Sequence, residues 1–397
     1  MSDKRQRETA TDVLIIGGGV IGCAIAYALR QHDITVTLLE KGEIGAQASG
    51  AAAGLLAPLG PLSGPGPLAD LVLAGFATFP VLVSELEQAT GLRLGYEQTG
   101  ALRVIHNQKR VAHLRKRWES WQPLGLRMQW LTGEEACRHE PLLADDVAAA
   151  VYAPEEAQID ARQMTQAFAQ AARNLGASLL PHHEVISFVT QKRRVIGART
   201  NQGQTFGCGQ VIVASGAWAE ECCSWLATPM PVTPLHGQLL ALPQPAPSLR
   251  SLVFGEGVYL VPRGSSLLVG ATKEERGFDL QADAKGTAWL LETARRLVPQ
   301  LARLQPTAVW TGLRPKTPDT RPIFGFLPFW ENVAIAAGHN SIGIILSGIT
   351  GQCMAELLLT GRLSLLAQPF SVERFSTTQE RSGESVGDRQ VLGQQSD

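Results

Sequence analysis

Residues 13–26, VLIIGGGVIGCAIA, constrain the fold of this chain more than any other stretch. DVLIIG is a continuous apolar run, the character of a strand buried on both faces. VIGCAIAYALRQ, rich in alanine, suits a helix packed closely on a sheet. Between them Gly17, Gly19 and Gly22 fit the spacing G-x-G-x-x-G. Gly17 permits the tight turn, Gly19 lets backbone approach a pyrophosphate, and Gly22 lets the helix lie close on the strand. The helix N-terminus then faces phosphates with free N–H groups and a positive dipole. A second β-branched run, ITVTLLE, ends at Glu40. A carboxylate there accepts both ribose hydroxyls of an adenosine and repels a 2′-phosphate, which argues against NADP.

NAD needs little more than this unit, whereas a flavin is a wide, flat ring that backbone must cradle. Residues 49–54, SGAAAG, carry no side chain larger than a methyl or hydroxymethyl. Backbone comes close to a ring only where side chains are this small, which favours FAD, although small residues also build ordinary loops.

The 397 residues exceed the ~150 typical of one domain, so two domains or one elaborate α/β body are expected. Charge is balanced, 35 Lys and Arg against 36 Asp and Glu, and nothing in it suggests a nucleic-acid partner. The opening MSDKRQRETATD lacks the apolar stretch of a signal peptide, and no uninterrupted apolar segment reaches the ~18–20 residues of a membrane span. A soluble, cytoplasmic protein is expected. Cys23, Cys137, Cys208, Cys222, Cys223 and Cys353 show no C-x-x-C spacing and read as reduced apolar fillers. No metal site is expected.

Residues 57–67 read as a mobile loop, 68–90 and 107–140 as helical, and 232–275 as β-rich. The polar tail 376–397 is expected to be disordered. The expected division is discontinuous: 10–90, 151–228 and 309–370 form a dinucleotide-binding domain, and 91–150 with 229–308 a substrate domain inserted into it.

VLIIGGGVIGCAIAYALR, LLEKG, GAAAGLLAP, VIVASGAWA, VYLVPR, LLVGAT, GLRPKTPDTRPIFG and AAGHNSIGIILSGITG occur in one order across residues 11–366. Together they resemble the D-amino-acid oxidase superfamily of flavoproteins. The resemblance is nearest to its glycine oxidase branch, the thiamine-biosynthesis type, with sarcosine oxidase and D-amino-acid dehydrogenase relatives. It implies an α/β fold, a Rossmann-like FAD-binding domain with an inserted, mostly antiparallel β-sheet substrate domain. It also implies FAD contacts from Val20, Ile21, Glu40, Lys41, Ala48, Ser49, Ala53, Gly54, Leu55, Val185 and Gly216. The run His339, Asn340, Ser341, Ile342, Gly343, Ile344 and Ile345 would add to them, with Gly343 at a helix start. A helix N-terminus aimed at the flavin stabilises the negative charge of its reduced form. His339 is either a polar group near the ring or a structural hydrogen-bonder of its corner.

The resemblance maps substrate binding onto Arg314, whose guanidinium can grip an α-carboxylate with two parallel hydrogen bonds, and onto Tyr259, a phenolic donor. Two residues depart from the family pattern: Ser341 stands where an arginine is usual, and Leu55 replaces a methionine. Some relatives hold flavin covalently on a cysteine near the TPD segment. Here Gly312 stands there and residues 224–352 contain no cysteine, so FAD is expected to be non-covalent.

The implied reaction is oxidative deamination of a small amino or N-alkylamino acid, with oxygen or another electron acceptor completing the cycle. No catalytic base is evident, and positioning and charge stabilisation suffice when the cofactor carries the chemistry. Two alternatives stay open: a D-amino-acid or D-proline-type dehydrogenase serving a quinone or partner, and an FAD-binding subunit inactive alone. A homo-oligomer is compatible with all of them.

Overall fold

A computed structural model describes residues 11–375, and the tail 376–397 lies outside the described residues. In chain order the elements begin β1 (Thr11–Ile16), α1 (Val20–Arg30), β2 (Val36–Leu39), α2 (Ala48–Ala51), β3 (Leu55–Leu56) and α3 (Pro67–Thr90). Next come β4 (Ala101–Ile105), α4 (Val111–Trp121), β5 (Gln129–Thr132), α5 (Gly133–His139), β6 (Ala149–Ala153), β7 (Ala157–Gln158) and α6 (Ala161–Asn174). There follow β8 (Ser178–Leu180), β9 (Val185–Gln191), β10 (Arg194–Thr200), β11 (Thr205–Val213), α7 (Ala219–Ser224), β12 (Thr233–Pro243) and β13 (Leu252–Gly255). The chain closes with β14 (Val258–Arg263), β15 (Ser266–Gly270), α8 (Ala284–Leu297), β16 (Ala308–Lys316), β17 (Ile323–Phe326), β18 (Val333–Ala337) and α9 (Gly343–Thr360).

The apolar run that opens the sequence forms the middle of the first sheet, ordered β17-β18-β11-β1-β2-β8. β1 pairs in parallel with both β2 and β11. Leu14 and Ile15 are fully buried because both sheet faces are covered. One face packs on α1, α6 and α9, and the other on a cluster that includes Cys222, Cys223 and Leu226. Helix α1 crosses α9 closely: a Cβ on Gly351 would stand 2.7 Å from the carbonyl oxygen of Ala24.

The second sheet runs β16-β12-β15-β14-β13-β4-β6-β5 and is antiparallel apart from the parallel β13–β4 pair. Its outer face packs on α8. Its inner face turns toward α2, where the Trp310 Nε1–H donates to the Ala51 carbonyl at 3.0 Å. The architecture is the expected one, a Rossmann-like body with an added, mostly antiparallel sheet. Two strands cross the division drawn from the sequence. Most of β16 and the end of β6 fall in ranges 309–370 and 151–228, yet both strands belong to the second sheet. β16 pairs with β12 from Thr233↔Lys316 to Ala241↔Ala308, so hydrogen bonding rather than chain order decides its place.

Three local readings change. Residues 57–67 are fastened rather than free: Leu59 and Leu62 are buried, Leu59 N–H donates to Glu156 at 3.0 Å, and Trp121 Nε1–H donates to Leu62 O at 2.7 Å. Range 107–140 is not continuously helical, because Gly125 takes a φ of +77° and QWLT then pairs with β6 as β5. Helices α3 and α9 are both long and apolar enough, by length and composition, to cross a membrane, which a search for uninterrupted runs passed over. They pack against each other, and α9 also packs on α1 as a core helix.

Candidate active site

A cavity of about 690 Å³ lies between the two sheets. At one end its wall is the turn before α1. Gly17 holds a φ of +112°, and a Cβ there would stand 2.5 Å from the Ala214 carbonyl oxygen and 2.8 Å from the Ser215 Cα. Gly19 caps α1 with no side-chain hydrogen bond of its own and the first turn carries no acid; Ser49 takes the Val20 N–H, and the rest of the positive end is left for a ligand. Gly22 is the one predicted site residue outside the cavity lining; a Cβ there would collide with the Gly17 carbonyl, so its absence lets α1 lie on β1. Glu40 is buried, and its two oxygens accept Gly18 N–H at 2.7 Å and Gly42 N–H at 2.9 Å. Each oxygen keeps acceptor capacity for a hydroxyl. Beside it the Lys41 ammonium sits 3.3 Å from the centre of the Trp218 ring. Burial lowers the Lys41 pKa, while Glu40 and neighbouring acids pull it back up.

The middle of the cavity is bare backbone and methyl groups. Gly54 holds a φ of +72° with no room for a Cβ beside the Ile159 carbonyl. A Cβ on Gly312 would stand 2.7 Å from that of Ala51, so β16 can approach α2 only as glycine. Ala48, Ser49, Ala53, Leu55, Val185 and Gly216 line the same space. Ser49 Oγ accepts the Val20 N–H at 2.9 Å and ties this stretch to the start of α1. Arg263, not singled out from the sequence, donates through Nη2 to the carbonyls of Ala53 at 2.6 Å and Ile159 at 2.9 Å. It lies four residues from Tyr259, on the same face of β14, and period-two alternation was the only signal for it.

Residues His339, Asn340, Ser341, Ile342, Gly343, Ile344 and Ile345 all line the cavity where α9 starts. Ile342 caps α9 without a side-chain bond, and its first turn also lacks acids. Asn340 N–H donates to Pro315 O at 2.9 Å, tying this corner to β16. The His339 ring is structural: it is buried, its Nε2 lies 3.1 Å from Thr350 Oγ1, and Phe324 packs edge-on at 5.6 Å. Burial pushes its pKa down to about 3, so it is neutral at pH 7.

Arg314 on β16 and Tyr259 on β14 are separated in the sheet by β12 and β15. Their side chains meet across two glycines. A Cβ on Gly237 of β12 would fall into the Arg314 guanidinium, and one on Gly270 of β15 would fall onto the Tyr259 ring. Arg314 Nη1–H donates to Thr272 O at 3.1 Å, leaving its other donors for the cavity. Burial raises the Tyr259 pKa and Arg314 partly offsets this, so the phenol stays protonated and keeps its O–H for a ligand. Cys222 also lines the cavity, but burial pushes its thiol up to about 11, away from reactivity.

The family model described as DAO, FAD dependent oxidoreductase, matches residues 12–357. The chain belongs to this family. It is 36% identical over 366 residues to a glycine oxidase of Geobacillus kaustophilus, covering 91% of this chain and 97% of that protein. The crystal structure of glycine oxidase from Geobacillus kaustophilus superposes with a TM-score of 0.88 at 35% identity, covering 91% of this chain and 98% of the other. A bifunctional protein ThiO/ThiG of Synechocystis is 36% identical over 379 residues, 94% of this chain but 55% of that longer protein. Hydrogen cyanide synthase subunit HcnC of Pseudomonas aeruginosa is 30% identical over 402 residues, 92% of this chain and 96% of that subunit.

As an FAD-dependent oxidoreductase the chain has the parts its cofactor needs. FAD carries a pyrophosphate, a diol-bearing ribose and a wide ring. The cavity offers the acid-free first turns of α1 and α9, the buried Glu40 carboxylate, and a wall that admits no Cβ at Gly17 or Gly54. These residues fit the cofactor.

Proposed function

We propose that this FAD-dependent oxidoreductase oxidatively deaminates a small α-amino or N-alkylamino acid, as a glycine oxidase-like enzyme. The observation that carries the reading is the meeting of Arg314 and Tyr259 over Gly237 and Gly270 in the cavity. Arg314 grips the α-carboxylate bidentately, and the Tyr259 phenol donates a further hydrogen bond. This grip presents the Cα–H toward the small-residue wall. Substrate held there displaces water from the partly buried Arg314 and so strengthens both contacts. Bound FAD supplies the hydride acceptor, and oxygen completes the cycle. The resulting imine hydrolyses to a keto acid and ammonia or an amine. The neutral His339 ring takes no proton in this scheme, since it faces Thr350.

In this reading Gly17, Gly19, Val20 and Ile21 hold the pyrophosphate, with Gly22 seating the helix behind them. Glu40 and Lys41 hold the adenosine. Ala48, Ser49, Ala53, Gly54, Leu55, Val185 and Gly216 cradle the rest, with the α9 start at the ring. FAD is held non-covalently. The first sheet forms the cofactor domain and the second the substrate domain, and six free cysteines suit the reducing cytoplasm.

The test is anaerobic mixing of the purified yellow protein with glycine, sarcosine, D-proline and other D-amino acids, following flavin bleaching. Repeating it with oxygen and with a dye acceptor separates oxidase from dehydrogenase. No bleaching by any amine at full flavin occupancy removes the enzyme reading.

A further inference from the structure

Beyond Arg314 the cavity continues along a wall that a small neutral amino acid does not need. The Tyr259 ring lies 6.3 Å from that of Phe254, and the Arg103 guanidinium lies 4.8 Å from the Phe254 centroid and 5.6 Å from that of Trp121. The Arg117 guanidinium then lies 4.6 Å from the centre of the Trp121 ring. All five side chains line the same cavity as Arg314.

The two arginines of this wall differ in what balances them. Arg103 is buried and paired bidentately with buried Glu156, at 2.6 and 2.8 Å, so its charge is spent inside the fold. Arg117 has no carboxylate within 4.0 Å among the described residues, and its guanidinium donates no hydrogen bond to them. It stays charged while half-buried, with its guanidinium over the Trp121 ring. In sequence it closes the stretch 109–117, which holds four other cations and no acid; of these Arg110 lies 3.8 Å from Glu256 and Arg115 lies 3.8 Å from the centre of the Trp130 ring, so neither competes for a ligand of Arg117. At the other side of the site, Ser341 supplies no charge.

We propose that Arg117 is the centre of a second anion subsite in the cavity, and that the preferred substrate carries a second carboxylate besides the one held by Arg314. This rests on the proposed amine oxidation and names its substrate class: dicarboxylic or N-carboxymethyl amino acids rather than neutral ones. The guanidinium offers a planar donor fork to a carboxylate, and the Trp121 face fixes that fork in orientation.

The experiment compares isosteric pairs on the holoenzyme: D-glutamate with D-glutamine, and D-aspartate with D-asparagine. The wild type is expected to favour the acid by roughly tenfold in kcat/KM, mostly through KM. Arg117→Gln is expected to abolish that preference and Arg117→Lys to restore part of it. A wild type that favours the amide, or a preference unchanged in Arg117→Gln, overturns the subsite. A second measurement needs no turnover: titration of the bound-flavin spectrum with glutarate and with glutaramate. Tighter glutarate binding that Arg117→Gln removes supports the subsite even if every amine fails to bleach the flavin, which would instead remove the oxidation reading. Equal binding of the two overturns it.

Discussion

The two ends of the cavity are built by opposite means. Where α1 begins, the wall is backbone: Gly17 and Gly19 clear it, Glu40 braces it through Gly18 and Gly42, and these parts all come from residues 13–42. At the other end the wall is side chains, Arg314 and Tyr259, which arrive from strands far apart in sequence and reach each other over Gly237 and Gly270. A backbone wall tolerates many side chains but not an added Cβ. A side-chain wall fails when one head group is removed or pushed aside.

If that contrast holds, damage at the two ends separates cleanly. The largest effect is expected from Arg314→Ala. Removing one partner of a buried charge pair costs about 2–5 kcal/mol, roughly 30- to 4,000-fold in kcat/KM. Flavin content is expected to stay normal, since the phosphate turn lies at the other end, and Arg314→Lys is expected to recover only part of the loss. Steady-state kinetics at measured flavin occupancy decide it; wild-type kcat/KM in Arg314→Ala would break the comparison.

Glu40→Gln strikes the other end. Its carboxylate accepts two backbone N–H groups as well as the proposed ribose hydroxyls, and the amide keeps the shape with one acceptor oxygen instead of two. A charge-assisted bond is worth about 1.5–3 kcal/mol, so FAD is expected to bind apoprotein roughly 10- to 150-fold more weakly. The spectrum of the flavin that does bind is expected to be normal. An unchanged titration would take Glu40 out of the site.

Gly237→Ala sharpens the contrast, because its new Cβ meets the end of a flexible side chain rather than backbone. Arg314 then has to move while β12 stays in register. A loss of about 1.4 kcal/mol, roughly tenfold in kcat/KM, is expected with little change in melting temperature. Unaltered kinetics would mean that Arg314 does not work from this position.

His339, between the two ends, is expected to have the smallest effect on kcat/KM and to act on stability instead. Its pKa falls from an unfolded value of 6.5 to about 3. The unfolded chain therefore takes up the proton first as pH falls. The contribution to stability is intact above about 6.5 and is lost toward pH 3, by at most about 1.4 kcal/mol per pH unit. Denaturant midpoints across that window are expected to slope less in His339→Gln. An identical slope would show that the ring does not stay neutral in the fold.

The sequence exposed the two ends unequally for the same reason. The phosphate turn was legible because strand, turn, helix and acid lie within one local unit, and each glycine there has a separate steric task. Arg314 and Tyr259 entered only through the family resemblance, since nothing local distinguishes a sheet arginine from a surface one. Arg263, Gly237, Gly270 and Arg117 were passed over. Each matters through a partner that the fold supplies: the distant Ala53 carbonyl and Arg314 guanidinium, the Tyr259 ring across a hairpin, and the Trp121 face one turn along α4. The same limit misjudged residues 57–67, whose glycines and prolines read as a loose loop while Leu59 and Leu62 anchor it in the core.

What the sequence alone determined is the dinucleotide unit and the α/β class, because these follow from periodicity and glycine sterics. Only the tertiary structure decided that His339 is a buried corner post, that Arg103 is neutralised while Arg117 is not, and that β16 belongs to the second sheet. Those outcomes depend on burial and strand register, which decide the groups that each side chain meets across separations from one helical turn to several strands. No local pattern encodes the distance between them.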